Sequence, residues 1–256
     1  LNKKKNTKIK YGSNNFKLTE EIEFRDLSLK YDNKLILNGL SLKIPVTSFF
    51  SIVGGSGSGK TTIFNIFSRI VQQNDGCILI DGVKIEEIEK NNFFENICFV
   101  SQDSYVFNGS IKDNITDGKN FDELRFKEVI KITQSDQFIY SLKEQENTKI
   151  GERGLKVSGG QLQRLILSRA LYKNPKILFI DEATSALDPL IEEQILFNIK
   201  QNFPKMTIIN IAHRLSSIKN SDSICLLQDG KIMFKGSYKL ITKESDVFRS
   251  LFKLND

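Results

Sequence analysis

The spacing of apolar residues changes along the chain. Apolar and polar residues alternate through residues 22–31 and again through 35–44. A period of two is typical of strands with one buried face, so we predict two antiparallel strands here. Residues 1–20 are polar and basic without clear periodicity, and we interpret them as a linker.

Continuous apolar runs follow this alternating part. The run Phe49–Val53 has the length of a strand that is buried on both faces, and a glycine-rich loop and a predicted helix over 61–71 come after it. Helical stretches separate several of the later runs. Strands alternating with helices predict an α/β fold whose mainly parallel sheet is covered by helices. The further strand-like runs are 77–81, 97–101, 177–181, 207–211 and 223–228.

One block interrupts this alternation. Residues 103–173 contain no convincing strand, but they contain helical patterns such as that of residues 121–132. We therefore predict an inserted α-helical subdomain. The complete prediction is one domain over residues 21–256, with an α/β core, an N-terminal antiparallel β subdomain and this insertion.

Charge and composition narrow the classes of partner. The net charge is +6, and basic residues gather between Lys3 and Lys10. This segment is either a solvated tail or a segment lying near anionic lipid head groups. No helix-long basic stripe is present, so we expect no nucleic-acid partner. No run of about 20 apolar residues, the length that crosses a membrane as a helix, is present either.

The three cysteines lie in apolar runs and form no C-x-x-C pair. Cysteine in such a position behaves as a small hydrophobic residue. We therefore expect Cys77, Cys98 and Cys225 to be buried and reduced, without a metal or a disulfide.

The glycine-rich loop carries the pattern G-x-x-x-x-G-K-[ST] between a predicted strand and a predicted helix. Glycines allow the backbone N–H groups to surround a phosphate, and the helix N-terminus adds positive charge. Lys60 is placed to reach the β and γ phosphates, and the Thr61 hydroxyl to bind Mg²⁺. A chance glycine turn is the alternative. The pattern predicts that the α/β core is a P-loop NTPase core. The candidate phosphate-binding residues are Gly54, Gly55, Ser56, Gly57, Ser58, Gly59, Lys60, Thr61 and Thr62.

Two acidic residues follow the apolar run 177–180. Ligands of open α/β sheets bind at the carboxyl ends of the strands. We predict that Asp181 acts on Mg²⁺ and that Glu182 polarises the attacking water as general base. Two solvated acids at a strand end are the alternative.

A second anion site is predicted further along the chain. Ser158 is a good N-cap residue, and Gly159 and Gly160 allow close approach of another backbone. The helix that starts at Gln161 is expected to end near Lys173, before Pro175.

The run Val157-Ser158-Gly159-Gly160-Gln161 resembles the signature motif of ABC transporter ATPases, and further motifs follow in the family's order. The resemblance covers roughly residues 22–243. It implies that Tyr31 stacks on adenine, that Gln102 is the Q-loop glutamine and a Mg²⁺ or water ligand, and that His213 contacts the γ-phosphate. By pattern alone, Tyr31 is equally well explained as an ordinary strand aromatic, and a lone histidine such as His213 is more often a structural residue. The family's D-loop corresponds to residues 185–188, where Asp188 is expected at the dimer seam.

The resemblance also implies partners. Two such domains pair head to tail, and each ATP lies between Lys60 of one copy and Ser158 of the other; we expect a homodimer. Residues 105–115, 148–154 and 211–218 are similar to the exporter type, in which a transmembrane domain precedes the ATPase in the same chain. We therefore expect the chain, which begins with Leu1, to be a fragment or processed product that works at the cytoplasmic face of a membrane.

Residues 148–154 are similar to the segment called the X-loop in exporters, which often has an acidic residue at the position of Lys149. Whether this X-loop contacts the partner domain is therefore an open question. Two other functions also remain open at this point. A soluble ABC ATPase acting on DNA or ribosomes would have no membrane segment upstream. A regulatory module that binds ATP without hydrolysing it would lack the acid or the histidine, yet Glu182 and His213 are both present.

Overall fold

The computed structural model describes residues 11–32, 34–151 and 156–254. Its strands are β1 (Glu21–Tyr31), β2 (Lys34–Pro45), β3 (Phe49–Val53), β4 (Asp75–Ile80), β5 (Val83–Lys84), β6 (Ile97–Ser101), β7 (Gly109–Ser110), β8 (Lys149–Ile150), β9 (Ile177–Asp181), β10 (Thr207–Ile211), β11 (Ser223–Gln228) and β12 (Lys231–Gly236). Its α-helices are α1 (Lys60–Phe67), α2 (Lys90–Asn96), α3 (Ile111–Thr116), α4 (Glu123–Ile132), α5 (Asp136–Ser141), α6 (Gly159–Tyr172), α7 (Pro189–Asn202), α8 (Tyr238–Glu244) and α9 (Asp246–Leu251).

The central sheet has six strands in the order β12-β11-β3-β10-β9-β6. All neighbouring strands are parallel except β11 and β12. Every residue of β3, β9 and β10 is buried, which explains their continuous apolar sequences. The prediction of a mainly parallel sheet covered by helices is confirmed.

A second sheet is antiparallel and has the order β2-β1-β4-β5. It confirms the predicted N-terminal β subdomain. The predicted run 77–81 belongs here rather than to the parallel sheet, since Ile80 of β4 pairs with Ile22 of β1. An apolar run does not encode the direction of its partner strand, so the sequence pattern could not assign β4 to a sheet.

Helices α3 to α6 occupy the predicted helical block, and their apolar side chains, such as Ile115, Val129 and Leu167, join a buried cluster that also contains residues of the central sheet and α7. One detail of the prediction is wrong, because β7 and β8 pair within this block through Gly109↔Ile150 and Ser110↔Lys149. Strands of two residues are too short to produce a periodic pattern.

The helix after the glycine loop is shorter than predicted. It ends at Phe67, and Arg69 has a left-handed backbone (φ 61°) that a helix cannot continue through. The signature helix is confirmed as α6 and begins at Gly159, two residues earlier than expected.

Residues 11–20 lie against the domain. Phe16 is buried, and its backbone N–H donates to the Asn92 side chain at 2.6 Å. The backbone N–H of Asn14 donates to the carbonyl of Glu87 at 3.0 Å. The predicted linker therefore includes residues that pack on the domain; its first ten residues lie outside the described part, and its connecting role remains a prediction.

The cysteines are free thiols. Cys98 and Cys225 are buried as predicted, and burial raises their pKa values to about 11 and about 12. Cys77 is only partly buried, because β4 has an exposed start. Among the helices of residues 11–32, 34–151 and 156–254, none combines the length and apolar character needed to cross a membrane.

Candidate active site

The glycine loop connects β3 to α1 at the carboxyl edge of the central sheet. Gly57 and Gly59 have φ angles of 76° and 107°, which favour glycine. A Cβ on Gly54 would lie 2.2 Å from the carbonyl oxygen of Leu227, so a close approach of β11 requires glycine there. A Cβ on Gly55 would meet nothing within 4 Å. Three of the four predicted glycines are therefore demanded by the backbone.

The N-terminus of α1 is open toward this loop. Its N-cap is Gly59, which has no side chain to accept a hydrogen bond from the first N–H groups. Helix N-termini of this kind attract anions, because the unpaired N–H groups and the helix dipole act together. Ser58 adds a buried hydroxyl without a hydrogen-bond partner among the described residues.

Lys60 is buried beneath the loop. Its Nζ donates to the carbonyls of Gly54 and Gly55, both at 2.9 Å. Burial lowers the pKa of Lys60, and the negative charges of Glu182 and Asp181 oppose this shift. The ammonium thus contacts the loop carbonyls and is influenced by the charges of both acids, while its predicted contact with phosphate remains a prediction.

Asp181 is the last residue of β9 and is 6% exposed. Burial, and then the charge of Glu182, raise its pKa to about 6, while a hydrogen bond from the Thr61 hydroxyl and the charge of Lys60 oppose the rise. Its Oδ1 is buried and has no hydrogen-bond partner among the described residues. A buried carboxylate oxygen in this condition, beside a hydroxyl, fits a hard divalent cation.

Glu182 follows in a left-handed backbone conformation (φ 53°), which directs it away from the strand. The Nε2 of His213, two residues beyond β10, lies 2.7 Å from its Oε1. Burial and the positive charge of Lys60 lower the pKa of His213, although Glu182 opposes them. The imidazole is therefore neutral at pH 7 and donates its Nε2–H to the carboxylate.

Three other residues predicted to contact the nucleotide are exposed or half-buried. Tyr31 ends β1 and is 47% exposed, while β2, its partner strand, approaches the loop closely enough that Ile36 and Leu37 would meet a Cβ on Gly59. Gln102 is exposed in the turn directly after β6, and Thr62 is half-buried on α1.

The signature helix begins beside a different segment. Ser158 and Gln161 form a capping box, in which the Gln161 N–H donates to Ser158 Oγ at 3.2 Å and the Ser158 N–H to Gln161 Oε1 at 2.9 Å. A Cβ on Gly159 or Gly160 would lie 3.3 Å from atoms of Ala186. The structure therefore places these residues against the segment 185–188 and not against the glycine loop.

Two side chains that sequence reasoning missed hold this segment. Gln163 accepts from the Ala186 N–H at 2.8 Å. Arg214 donates to the carbonyls of Ser185 and Leu187 at 2.7 and 2.8 Å. Their positions next to predicted motifs were the available signal, since Gln163 follows Gln161 by two residues and Arg214 follows His213.

Comparisons with known proteins identify the family of this chain. The pattern of the ABC transporter family matches residues 37–185. A putative export ATP-binding/permease protein of Rickettsia typhi is 40% identical over 237 residues, which are 91% of this chain and 41% of that protein. An ATP-dependent lipid A-core flippase of Desulfotalea psychrophila is 37% identical over 236 residues, which are 92% and 41% of the two chains.

A solved structure of a bacterial Atm1-family ABC exporter with ATP bound superimposes with a TM-score of 0.86 at 36% identity, over 93% of this chain and 42% of that one. The chain thus spans about two fifths of the length of the relatives it matches. Because the family pattern covers more than half of the 256 residues, the chain belongs to the ABC transporter family, as an ATP-binding ATPase domain.

Proposed function

We propose that this domain hydrolyses ATP to power export across a membrane, as the ATPase part of a longer transporter. The observation that carries the catalytic part is the 2.7 Å pair of Glu182 and His213 at the carboxyl edge of the sheet, next to buried Asp181 and Lys60. The export part is supported by the relatives, whose names describe an export permease and a lipid flippase.

The triphosphate of ATP binds over residues 54–62, where the backbone N–H groups, the Ser56, Ser58 and Thr62 side chains and the α1 N-terminus are available. The Lys60 ammonium, whose present acceptors are two loop carbonyls, turns from them to the phosphate oxygens. Tyr31 offers an exposed ring on which adenine stacks.

The acidic edge fits Mg²⁺. Asp181 supplies the buried oxygen that has no partner in the described structure, Thr61 a hydroxyl and Gln102 an amide oxygen. When bound, the ion neutralises negative charge on the β and γ phosphates.

Glu182 acts as general base. Its carboxylate accepts the proton of the attacking water, and the neutral imidazole of His213 orients that carboxylate through Nε2–H. Lys60 stabilises the charge that develops on the γ-phosphoryl group.

A second copy of the domain completes the site in this proposal. The capped start of α6 leaves Ser158 and Gly159 exposed, so the residues 158–161 are available to the ATP of a partner copy. Hydrolysis separates the two copies, and the helical block, joined to the core beside Gln102, transmits the motion to a transmembrane domain. The ATPase then faces the cytoplasm, where ATP is present.

The test of the hydrolytic part is Glu182→Gln. We expect the ATPase rate to fall by about a hundredfold or more, while ATP binding persists and ATP with Mg²⁺ converts the protein to a dimer detectable by light scattering. Glu193→Gln is the matched control, because Glu193 is a partly exposed acid paired with Lys219 at 2.9 Å. A normal ATPase rate in Glu182→Gln would refute the base assignment.

The export part is tested in the longer protein. We expect the coding sequence before Leu1 to specify membrane-spanning helices, each a run of about 20 apolar residues. An upstream sequence without such runs would contradict the exporter proposal and leave the ATPase assignment intact.

A further inference from the structure

One buried carboxylate lies next to the candidate active site but has no part in the mechanism above. Glu192, in the first turn of α7, is 1% exposed. Its Oε1 accepts hydrogen bonds from Thr184 Oγ1 at 2.5 Å and from Ser217 Oγ at 2.7 Å, and its Oε2 accepts from Ser216 Oγ. We propose that Glu192 is a positioning residue that holds Glu182 and His213 in register for hydrolysis.

The donors come from both catalytic segments. Thr184 lies two residues after Glu182, while Ser216 and Ser217 lie three and four residues after His213. The two segments leave the sheet from the ends of β9 and β10, which are neighbouring parallel strands. Glu192 is therefore a single acceptor shared by two loops that have no covalent connection near the site.

The catalytic side chains need such support. The side chains of Glu182 and His213 are 31% and 41% exposed, so packing alone does not fix them. Glu182 also has a left-handed backbone, which only its surroundings can maintain. The hydrogen bonds to Glu192 restrain the backbone of both loops just beyond these residues.

The same region is closed from other sides. Asn210 of β10 donates from Nδ2 to the carbonyl of Ser217 at 3.0 Å. A cavity of about 30 Å³ is lined by Glu182, Thr184, Glu192 and His213 among others, so Glu192 borders the same space as both catalytic residues. A displacement of about 1 Å at a reacting group can lower a rate by about a hundredfold.

This inference rests on the proposed function, and the experiment separates the two. The ATPase rate, the KM for ATP and the affinity for a fluorescent ATP analogue are measured for Glu192→Ala, Glu192→Gln, Thr184→Val and Thr184→Ser, with Glu193→Gln as control. Glutamine keeps an oxygen that can accept hydrogen bonds from the Thr184 and Ser217 hydroxyls, and its amide group can donate a hydrogen bond to the Ser216 hydroxyl. Serine keeps the hydroxyl of Thr184, which valine removes at nearly equal volume.

We expect Glu192→Ala and Thr184→Val to lower kcat by about tenfold to a hundredfold with KM and nucleotide affinity unchanged. Glu192→Gln and Thr184→Ser should recover most of the rate, and Glu193→Gln should match the unchanged protein. If Glu192→Ala does not fold, the valine and serine pair at position 184 decides.

A normal kcat in both Glu192→Ala and Thr184→Val overturns the positioning role, and so does an equal loss in Thr184→Val and Thr184→Ser. A loss of kcat accompanied by an equal loss of nucleotide affinity also overturns it. Failure of the proposed function is read separately, from a normal rate in Glu182→Gln.

Discussion

At the scale of single residues, the candidate active site contains a buried acid whose charge lowers the stability of the folded domain. Asp181 is buried next to a second acid, and its pKa lies well above the ordinary 3.8. A buried carboxylate with an unsatisfied oxygen costs free energy in the folded state unless a cation binds it. The residue most suited to a cation is therefore one that destabilises the domain when no cation is bound.

Replacing Asp181 by asparagine should stabilise the nucleotide-free domain. The folded protein binds more protons than the unfolded chain between pH 4 and 6, so this residue's contribution to stability rises as the pH falls through about 6. We expect Asp181→Asn to raise the free energy of unfolding by about 1–3 kcal/mol at pH 7.5. Urea denaturation should show that gain reduced by roughly half at pH 5.

The matched control for Asp181→Asn is Asp188→Asn, because asparagine is also a good N-cap and Asp188 caps α7 at the surface. An equal gain in both variants, or a gain that does not change with pH, would contradict burial of the Asp181 charge as its cause.

Two adjacent glycines of the loop should differ in their tolerance of a methyl group. Gly54→Ala places a Cβ against the backbone of Leu227, so we expect it to lower the free energy of unfolding by about 2–4 kcal/mol. Gly55→Ala meets no atom and should change stability by less than about 1 kcal/mol. Parallel urea titrations measure both, and equal losses would show that the close approach of β11 is not needed.

At the scale of elements, the helix starts connect local sequence to the site. The N-cap of α1 is a glycine, which leaves its N–H groups available, whereas α6 and α7 have their first N–H groups capped by Ser158 and Asp188. Helix α1 is proposed to bind the phosphates of an ATP held by its own chain, which requires free N–H groups at its N-terminus. Helix α6 is proposed to meet only the ATP of a partner copy, so a cap can keep its first turn ordered until that copy arrives.

Removing the cap of α6 should affect both stability and hydrolysis. We expect Ser158→Ala to lower the free energy of unfolding by about 1 kcal/mol, because the Gln161 N–H loses its acceptor. Ser237→Ala, which removes the cap of α8 and its bond to the Leu240 N–H, is the control and should cost a similar amount. Only Ser158→Ala should lower the ATPase rate, as measured by phosphate release. Equal ATPase rates in the two variants would show that the start of α6 does not contact the nucleotide.

At the scale of the whole molecule, aromatic packing joins the glycine-loop helix to the acidic strand. Phe179 of β9 contacts Phe64 and Phe67 of α1 edge to face, with ring centroids 5.1 and 5.5 Å apart. Phe99 of β6 extends the cluster. Lys60 and Asp181 therefore stand at the ends of two elements that share one rigid core.

Removing the central ring should be costly. We expect Phe179→Ala to lower the free energy of unfolding by about 3–5 kcal/mol, because Phe179 is fully buried and its removal leaves a cavity. Phe197→Ala is the control, since Phe197 is 47% exposed on α7 and should cost less than about 1 kcal/mol. Similar losses in chemical denaturation would show that the aromatic cluster does not hold α1 to β9.

Local sequence was sufficient for much of this architecture. Continuous apolar runs identified β3, β9 and β10, because strands buried on both faces have no polar side. The glycine loop and the two acids at the end of β9 were recognised as candidates because phosphate chemistry requires these residue types at this spacing. Family resemblance added Tyr31, Gln102 and His213, which pattern alone could not separate from structural residues.

Contacts between distant parts of the chain required the tertiary structure. Three features show this: the antiparallel pairing of β4, the pairing of β7 with β8, and the hydrogen bonds shared by Glu192. Each brings together residues that are separated in the sequence, and no local pattern marks them as neighbours. The same holds for the raised pKa of Asp181, which arises from burial and from neighbours placed by folding. The sequence alone identified the candidate groups for the chemistry, because residue type and local spacing decide which side chains could bind phosphate or a cation or act as a base. Only the folded chain decided how those groups are buried, charged and held, because these properties depend on atoms brought together from separate strands.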